Sequence, residues 1–325
     1  MNNVLKNITE GVSNEMQEFE TLFNNCFSSE DKLLNDILVY TNSMKGKRIR
    51  PLLIFLTAKT FGNITEQTFR SAVIIELLHT ASLLHDDVID NSGLRRNNRT
   101  VNALFGDKAA ILVGDYLYGK ALATIKTEED FLLMNVFSRI ALQLPQGEIK
   151  ETDVTFNKDT DLSTYLNVIY YKTASLISAA TECGARTCRN PNINVQEMTL
   201  LGENIGMAFQ IRDDILDYDE NNLMGKGLGN DIKEKKITLP FIYYLETLDK
   251  KRKEEMIELF FSDNKSDEDI HSIIDNVRKS GVIEKSIERQ KEYSEKALKC
   301  VDTMPLNDYS VQLRALVQYL TIRKQ

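Results

Sequence analysis

The chain has 325 residues, 42% of them hydrophobic, and a formal charge of −8. That is enough apolar material for a sizeable core and too much for a disordered chain, and the acidic balance argues against a nucleic-acid binder. No apolar run reaches the roughly 18 residues of a membrane span; the start MNNVLKNITEGVSNEMQEFE lacks a signal-peptide pattern, and four cysteines without CxxC and three histidines without HExxH give little support to a zinc enzyme.

In chain order, the first punctuation is the basic loop SMKGKR (43–48), which runs into Arg50 and Pro51. From Ser71 to Asp90 apolar residues recur at Val73/Ile74, Leu77/Leu78, Ala81, Leu84 and Val88, the broad stripe of a long buried helix. The loop NSGLRRNNRT (91–100) follows. Later loops are ARTCRNPNIN (185–194) and NNLMGKGLGN (221–230). A second long stripe, through Leu201, Ile205, Ala208/Phe209 and Ile215/Leu216, predicts a helix over Met198–Tyr218. The charged stretch from Thr247 to about Ser286 reads as solvated peripheral helices. Period-2 alternation is nearly absent, no Asn-Gly or Asp-Gly turn occurs, and no linker interrupts the chain. The expectation is a single α-helical domain over residues 1–325, cytoplasmic and without a transmembrane segment.

Two acidic clusters of one form carry the chemistry. Asp86, Asp87 and Asp90 lie in HDDVID, and Asp213, Asp214 and Asp217 in RDDILD, each near the C-terminal end of an apolar helix. In each, the outer carboxylates are four residues apart and share a face. Clustered carboxylates repel, and burying them unpaired is costly. Solvated acidic patches are the plain alternative, but such patches end polar faces rather than apolar stripes. Hard divalent cations such as Mg²⁺ take these oxygen donors and complete their shells with water and substrate phosphates. Two facing clusters could therefore hold several Mg²⁺ ions around one diphosphate.

Basic residues follow the same plan. Lys47 and Arg50 lie in KGKRIRP, Arg95 and Arg96 follow the first acidic cluster, and Lys226, Lys235 and Lys236 follow the second. Guanidinium forks and ammonium point charges bind diphosphate; alone, each run would read as a solvated face. His79 on an apolar helix would by itself read as a satisfied core histidine. Lys172, in YYKTASLISAA, needs an anionic partner among its apolar neighbours, unless it snorkels. Gln210 stands one turn before Asp214.

At this point the sequence resembles the trans-isoprenyl diphosphate synthases of the bacterial long-chain type, hepta- and octaprenyl and beyond. The motifs are GKRIRP (46–51), ELLHTASLLHDDVID (76–90), LRR (94–96), LVGDYL (112–117), GE (147–148), YKTASL (171–176), FQIRDDILD (209–217), GKGLGND (225–231) and KITLP (236–240). The resemblance implies an all-α bundle of long helices around a deep central cavity, the isoprenoid synthase fold, usually homodimeric. It implies several Mg²⁺ ions, three on the family pattern, held by Asp86, Asp87, Asp90, Asp213, Asp214 and Asp217. Arg95, Lys172 and Lys226 then resemble ligands of the allylic diphosphate, and Lys47, Arg50, His79 and Arg96 the isopentenyl diphosphate site. Thr173 and Gln210 lie where the family places groups near the developing carbocation, and Lys236 matches a further family lysine. The loop after LRR departs from the usual Gly-x-Pro-Thr, reading Asn97-Asn98-Arg99-Thr100, and Glu234-Lys235-Lys236 replaces Glu-Gly-Lys. The implied partners are isopentenyl diphosphate and an allylic prenyl diphosphate, with transient membrane contact for product release. The small Ala81 and Ser82, with Leu78 a turn behind, imply an open channel and a long product, its floor set from elsewhere by Phe131, Leu133 and Phe137. The competing readings are a non-catalytic regulatory subunit, which would typically lose carboxylates from the first cluster, and a class I terpene cyclase, which needs no second diphosphate site.

Overall fold

A computed structural model describes residues 3–219 and 228–322. Its helices run in chain order α1 (Asn3–Glu10), α2 (Ser13–Asn24), α3 (Lys32–Ser43), α4 (Ile49–Phe61), α5 (Glu66–Ile89), α6 (Val101–Phe105), α7 (Asp107–Ala123), α8 (Phe131–Asn157), α9 (Leu162–Ile169), α10 (Ser175–Thr187), α11 (Val195–Leu216), α12 (Asn230–Lys233), α13 (Leu239–Glu246), α14 (Lys250–Phe261), α15 (Asp267–Lys279), α16 (Val282–Asp302) and α17 (Asp308–Ile322). The strands among the described residues are the short pair β1 (Leu94–Arg95) and β2 (Asn98–Arg99), between α5 and α6. No described helix is long and apolar enough to cross a membrane.

The chain divides into two compact units. One comprises the chain up to Leu142, Leu176–Gly202 and Cys300–Leu316; the other comprises Gln143–Ser175, Glu203–Lys299 and the chain from Val317 onward. In the first, α5 opens on a capping box, in which the side chains of Thr65 and Thr68 each accept the other's backbone amide. Its stripe is buried as the periodicity requires, Val73, Ile74, Leu77, Leu78, Ala81 and Leu84 being at most 3% exposed. Helix α4 is buried on nearly all sides from Pro51 to Ala58, and its proline sits in the first turn, where the missing amide is tolerated. Each fully buried large apolar side chain in these helices contributes roughly 1.5–3 kcal/mol. Gly114 of α7 packs against His85 of α5, and a Cβ there would run into the imidazole.

The second unit contradicts one reading of the sequence. The charged stretch after Thr247 is not merely solvated. In α15, Ile270, Ile273, Ile274 and Val277 form a buried stripe that joins Phe241, Phe260 and Ile232 in one apolar cluster. The charges occupy the remaining face and the ends, with Asp267, Glu268 and Asp269 in the first turn and Arg278 and Lys279 in the last, the order the helix dipole favours. High charge density hid four apolar positions at helical spacing. Between α9 and α10 the chain makes one π-helical turn, Tyr170–Ala174, a device common at functional sites.

Candidate active site

The first acidic cluster ends α5 in the first unit. Asp87 is 2% exposed, and Arg95 reaches one of its oxygens from Nε at 2.9 Å and from Nη2 at 2.8 Å. Burial pushes the Asp87 pKa up, and the Arg95 guanidinium opposes it in part. The Asp87 carbonyl is also pinned, by the Ser92 amide at 2.9 Å and by Asn102 Nδ2 at 3.2 Å. Asp86 is half-buried on the helix, and Asp90 is its C-cap. Arg95 is delivered by the β1–β2 hairpin, whose two-residue turn puts Arg96 at φ 52° and Asn97 at φ 64°. Two left-handed residues in succession are the mark of a type I′ turn, which matches strand twist but usually uses Asn-Gly. The sequence offers no such pair here, and by its composition the segment reads as a loop. Its cost is a non-glycine residue held left-handed at a functional position.

Beside it lies a pocket whose lining includes Phe23, Gly46, Arg48, Glu76, His79, Asp87, Arg95 and Arg96. Arg48 donates from Nε to Glu20 at 2.8 Å and from Nη1 to Glu76 at 2.9 Å, and its guanidinium lies 4.4 Å from the Phe23 ring centre. Arg96 Nη1 donates to the Met44 carbonyl at 3.3 Å and packs on Gly46, where a Cβ would sit 3.0 Å from it. Arg50 Nε is buried without a hydrogen-bond partner among the described residues. Burial lowers the Arg50 pKa, with Glu76 opposing and Arg96 adding to the shift. His79 is held neutral, because burial and then Arg50, Arg96, Arg95 and Arg48 push its pKa well below the usual imidazole value.

The pocket thus gathers His79, Arg95 and Arg96, with Arg50 within electrostatic reach. Lys47 is exposed and is not among its lining residues. Sequence reading missed Glu76 and Glu20, the partners of Arg48 from the basic loop. The signal was present for Glu76, an acidic residue inside an apolar stripe that proves 4% exposed. Leu78 and Ala81 are fully buried, and Ser82 Oγ turns back to the His79 carbonyl at 3.0 Å. At about 100° per residue these three positions lie round α5 from the pocket-lining Glu76, Thr80 and Asp87. Phe131 is 72% exposed and closes no channel within the chain, whereas Leu133 is buried.

The second unit carries the other cluster. Lys172, on the π-turn, is paired with Glu148 at 2.7 Å and Glu151 at 2.5 Å. Burial opposes its charge, yet Glu151 and Glu148 hold its pKa above the ordinary lysine value. Gly147 allows this approach, since a Cβ there would lie 2.9 Å from the Lys172 amide nitrogen. The expected anionic partner of Lys172 is therefore met first by two glutamates of α8. Thr173 Oγ1 donates to Gln210 Oε1 at 2.8 Å, Gln210 Nε2 to Asp214 Oδ1 at 2.8 Å, and the Tyr165 phenol to Asp214 Oδ2 at 2.6 Å. Burial pushes the Asp214 carboxyl up to about 7, against the pull of Tyr165 and Gln210.

Asp217 also holds backbone. Its two oxygens accept the backbone amides of Asn230 at 3.0 Å and Asp231 at 3.1 Å, so it holds the start of α12. Lys236 pairs with Glu234 at 2.8 Å, while Lys235, left-handed at φ 59°, pairs with Asp263. Lys226 lies outside the described residues. Among the described residues no three Asp, Glu, His or Cys side chains converge as a ready-made metal cluster.

Residues 31–277 match the family described as polyprenyl synthetase. The all-trans-nonaprenyl-diphosphate synthase (geranyl-diphosphate specific) of Rhodobacter capsulatus is 30% identical over 322 residues, 98% of each chain. A decaprenyl diphosphate synthase structure from Rhodobacter capsulatus superposes with a TM-score of 0.92 at 29% identity, covering 98% of both chains. A polyprenyl synthase from Caulobacter crescentus CB15, solved with calcium and isoprenyl diphosphate, gives 0.89 at 26% identity, covering 99% of this chain and 98% of that one.

Proposed function

Because the chain belongs to the polyprenyl synthetase family, with its all-α isoprenoid synthase fold, we propose that it condenses isopentenyl diphosphate with an allylic prenyl diphosphate into a long all-trans polyprenyl diphosphate. The observation that carries this reading is the arginine pocket around neutral His79. Arg48 and Arg95 are salt-bridged to carboxylates, while Arg50 Nε has no partner among the described residues. Arg50, and Arg96 beyond its one bond to the Met44 carbonyl, are offered to an incoming diphosphate, and Lys47 adds charge from the exposed loop.

The allylic C–O bond breaks and the diphosphate departs with the bonding pair. The double-bond electrons of isopentenyl diphosphate form the new C–C bond, and loss of a proton, carried off with the released diphosphate, restores a double bond. Mg²⁺ would supply charge neutralisation for the departing diphosphate. Asp86, Asp87, Asp90 and Asp213 are the carboxylates offered to several such ions, three on this reading. Asp214 and Asp217 belong to the same set of carboxylates, each also accepting hydrogen bonds from protein donors. Arg95, Lys172, Lys226 and Lys236 steady the allylic diphosphate, and Thr173 and Gln210 face the developing cation.

On the same reading the chain works in the cytoplasm as one polyprenyl synthase domain, the family match running unbroken through segments of both units. It pairs as a homodimer that covers Ile111 and Leu112, which α7 leaves 43% and 55% exposed. The test is diphosphate release by the purified chain. Turnover that requires both substrates and a divalent cation supports the proposal, and a folded chain that releases no diphosphate with both substrates and Mg²⁺ refutes it.

A further inference from the structure

The bonds around Asp214 have a fixed sense, and that sense reaches a reacting group. Asp214 accepts from the Tyr165 phenol on one oxygen and from the Gln210 amide on the other, so Gln210 turns its NH₂ to Asp214 and its carbonyl the other way. That carbonyl accepts from Thr173, which must therefore donate its hydroxyl hydrogen to Gln210. The remaining lone pairs of Thr173 Oγ1 and Gln210 Oε1 are then free to meet positive charge. If the Gln210 amide were reversed, it would present N–H to Thr173 and could leave a hydroxyl hydrogen turned toward the cation.

The anchor of this chain is Tyr165. Its phenol donates to Asp214 Oδ2 at 2.6 Å, and both residues are 4% exposed. The ring is held in the second unit's apolar cluster with Ile169, Ile232 and Leu239. At the other end, Gly206 of α11 packs so closely on Ala174 that a Cβ would collide with its backbone, which fixes the π-turn bearing Thr173. An aromatic buried in α9 is thereby connected, through three hydrogen bonds, to the hydroxyl of Thr173.

We infer that Tyr165 is a positioning residue for the allylic cation: by holding Asp214 as an acceptor, it sets the Gln210 amide and so directs the Thr173 oxygen at the reacting carbon. The inference rests on the prenyl-transfer reading above. Preorganised dipoles aimed at developing charge act on the chemical step rather than on substrate binding.

The test is Tyr165→Phe in the full chain, measured alone and in a Gln210→Ala background. The single change is expected to lower kcat about tenfold with little change in either KM, as loss of an outer-shell partner commonly does. In the Gln210→Ala background its effect should shrink to less than about twofold, because the path is already cut. An equal fold-change in both backgrounds, or an unchanged kcat in the single variant, would overturn the inference. A second readout needs no turnover. With selective ¹⁵N-glutamine labelling, the Gln210 side-chain amide, assigned by its disappearance in Gln210→Glu, should show slow hydrogen exchange in the wild type and fast exchange in Tyr165→Phe and in Asp214→Asn. If the wild type condenses no substrate, the prenyl-transfer reading fails and this amide decides the relay separately, with identical exchange in wild type and Tyr165→Phe ruling it out.

Discussion

Arg95 directs Nε and Nη2 at the same oxygen of Asp87, so the basic hairpin and the acidic helix end are tied together. Burial nevertheless wins at Asp87, whose pKa lies above the usual carboxylate value. A raised pKa means that the folded state favours the protonated form, so the charge lowers stability as pH rises through that pKa. Asp87→Asn is therefore expected to leave the melting temperature unchanged or raise it, while cutting turnover by roughly two orders of magnitude or more if the carboxylate serves the metal. Thermal melts beside steady-state assays check this; a strongly destabilised Asp87→Asn with near-normal turnover contradicts it.

Arg48 and Arg96 line one pocket but should fail differently. Arg48 is 11% exposed and bridges Glu20 and Glu76. Arg48→Ala strands the buried Glu76 and is expected to cost about 3 kcal/mol of stability. Arg96→Ala should leave stability nearly intact and raise the KM for isopentenyl diphosphate about 10–100-fold, the value of one or two charge-assisted hydrogen bonds. Lys47→Ala should move the same KM by less, from an exposed position. Denaturant melts and kinetics with each substrate varied separate these outcomes; an Arg96 variant defective only toward the allylic substrate would overturn the assignment.

Gly206→Ala places a methyl group against the Ala174 backbone. Overpacking at such a crossing costs about 1–3 kcal/mol, and here it should also displace the turn that carries Lys172 and Thr173. The expected result is a lower melting temperature together with a lower kcat. An active, fully stable variant would show that the π-turn can move without consequence.

The length of the product is expected to depend on α5. Each helical turn rises about 5.4 Å, comparable to one isoprene unit, and Ala81 and Ser82 are small where a bulky ring would stop a growing chain. Ala81 is fully buried, so the competing role is plain close packing. Ala81→Phe should still elongate but stop at about C15 to C20, little more than one helical turn from the first carboxylate of the cluster. Loss of stability and rate with unchanged product length would assign the residue to packing alone.

Much of this molecule is legible in its sequence, for definite reasons. The two long stripes place α5 and α11 within a few residues of their ends, because a sustained 3.6 period has one structural solution. The paired acidic motifs and the basic residues beside them are local patterns, whereas His79 reads as a core histidine until the resemblance to the family sets it beside Arg50 and Arg96. What stayed hidden depends on contacts distant in sequence. Glu148 and Glu151 meet Lys172 only once α8 and the π-turn pack. Tyr165 looks like a core aromatic until its hydroxyl is seen at Asp214. The α15 stripe was masked by the charges on its other face, and the hairpin at Arg96 lacks the residues that usually announce such a turn.

The most direct measurement is mass analysis of the products formed by the purified chain from isopentenyl diphosphate, Mg²⁺ and allylic primers of different length. The account predicts linear polyprenyl diphosphates spaced by one C5 unit, ending at about C30 or longer, a length that needs several helical turns of channel. Cyclised hydrocarbons, or no condensation by a folded chain with every primer, would contradict it.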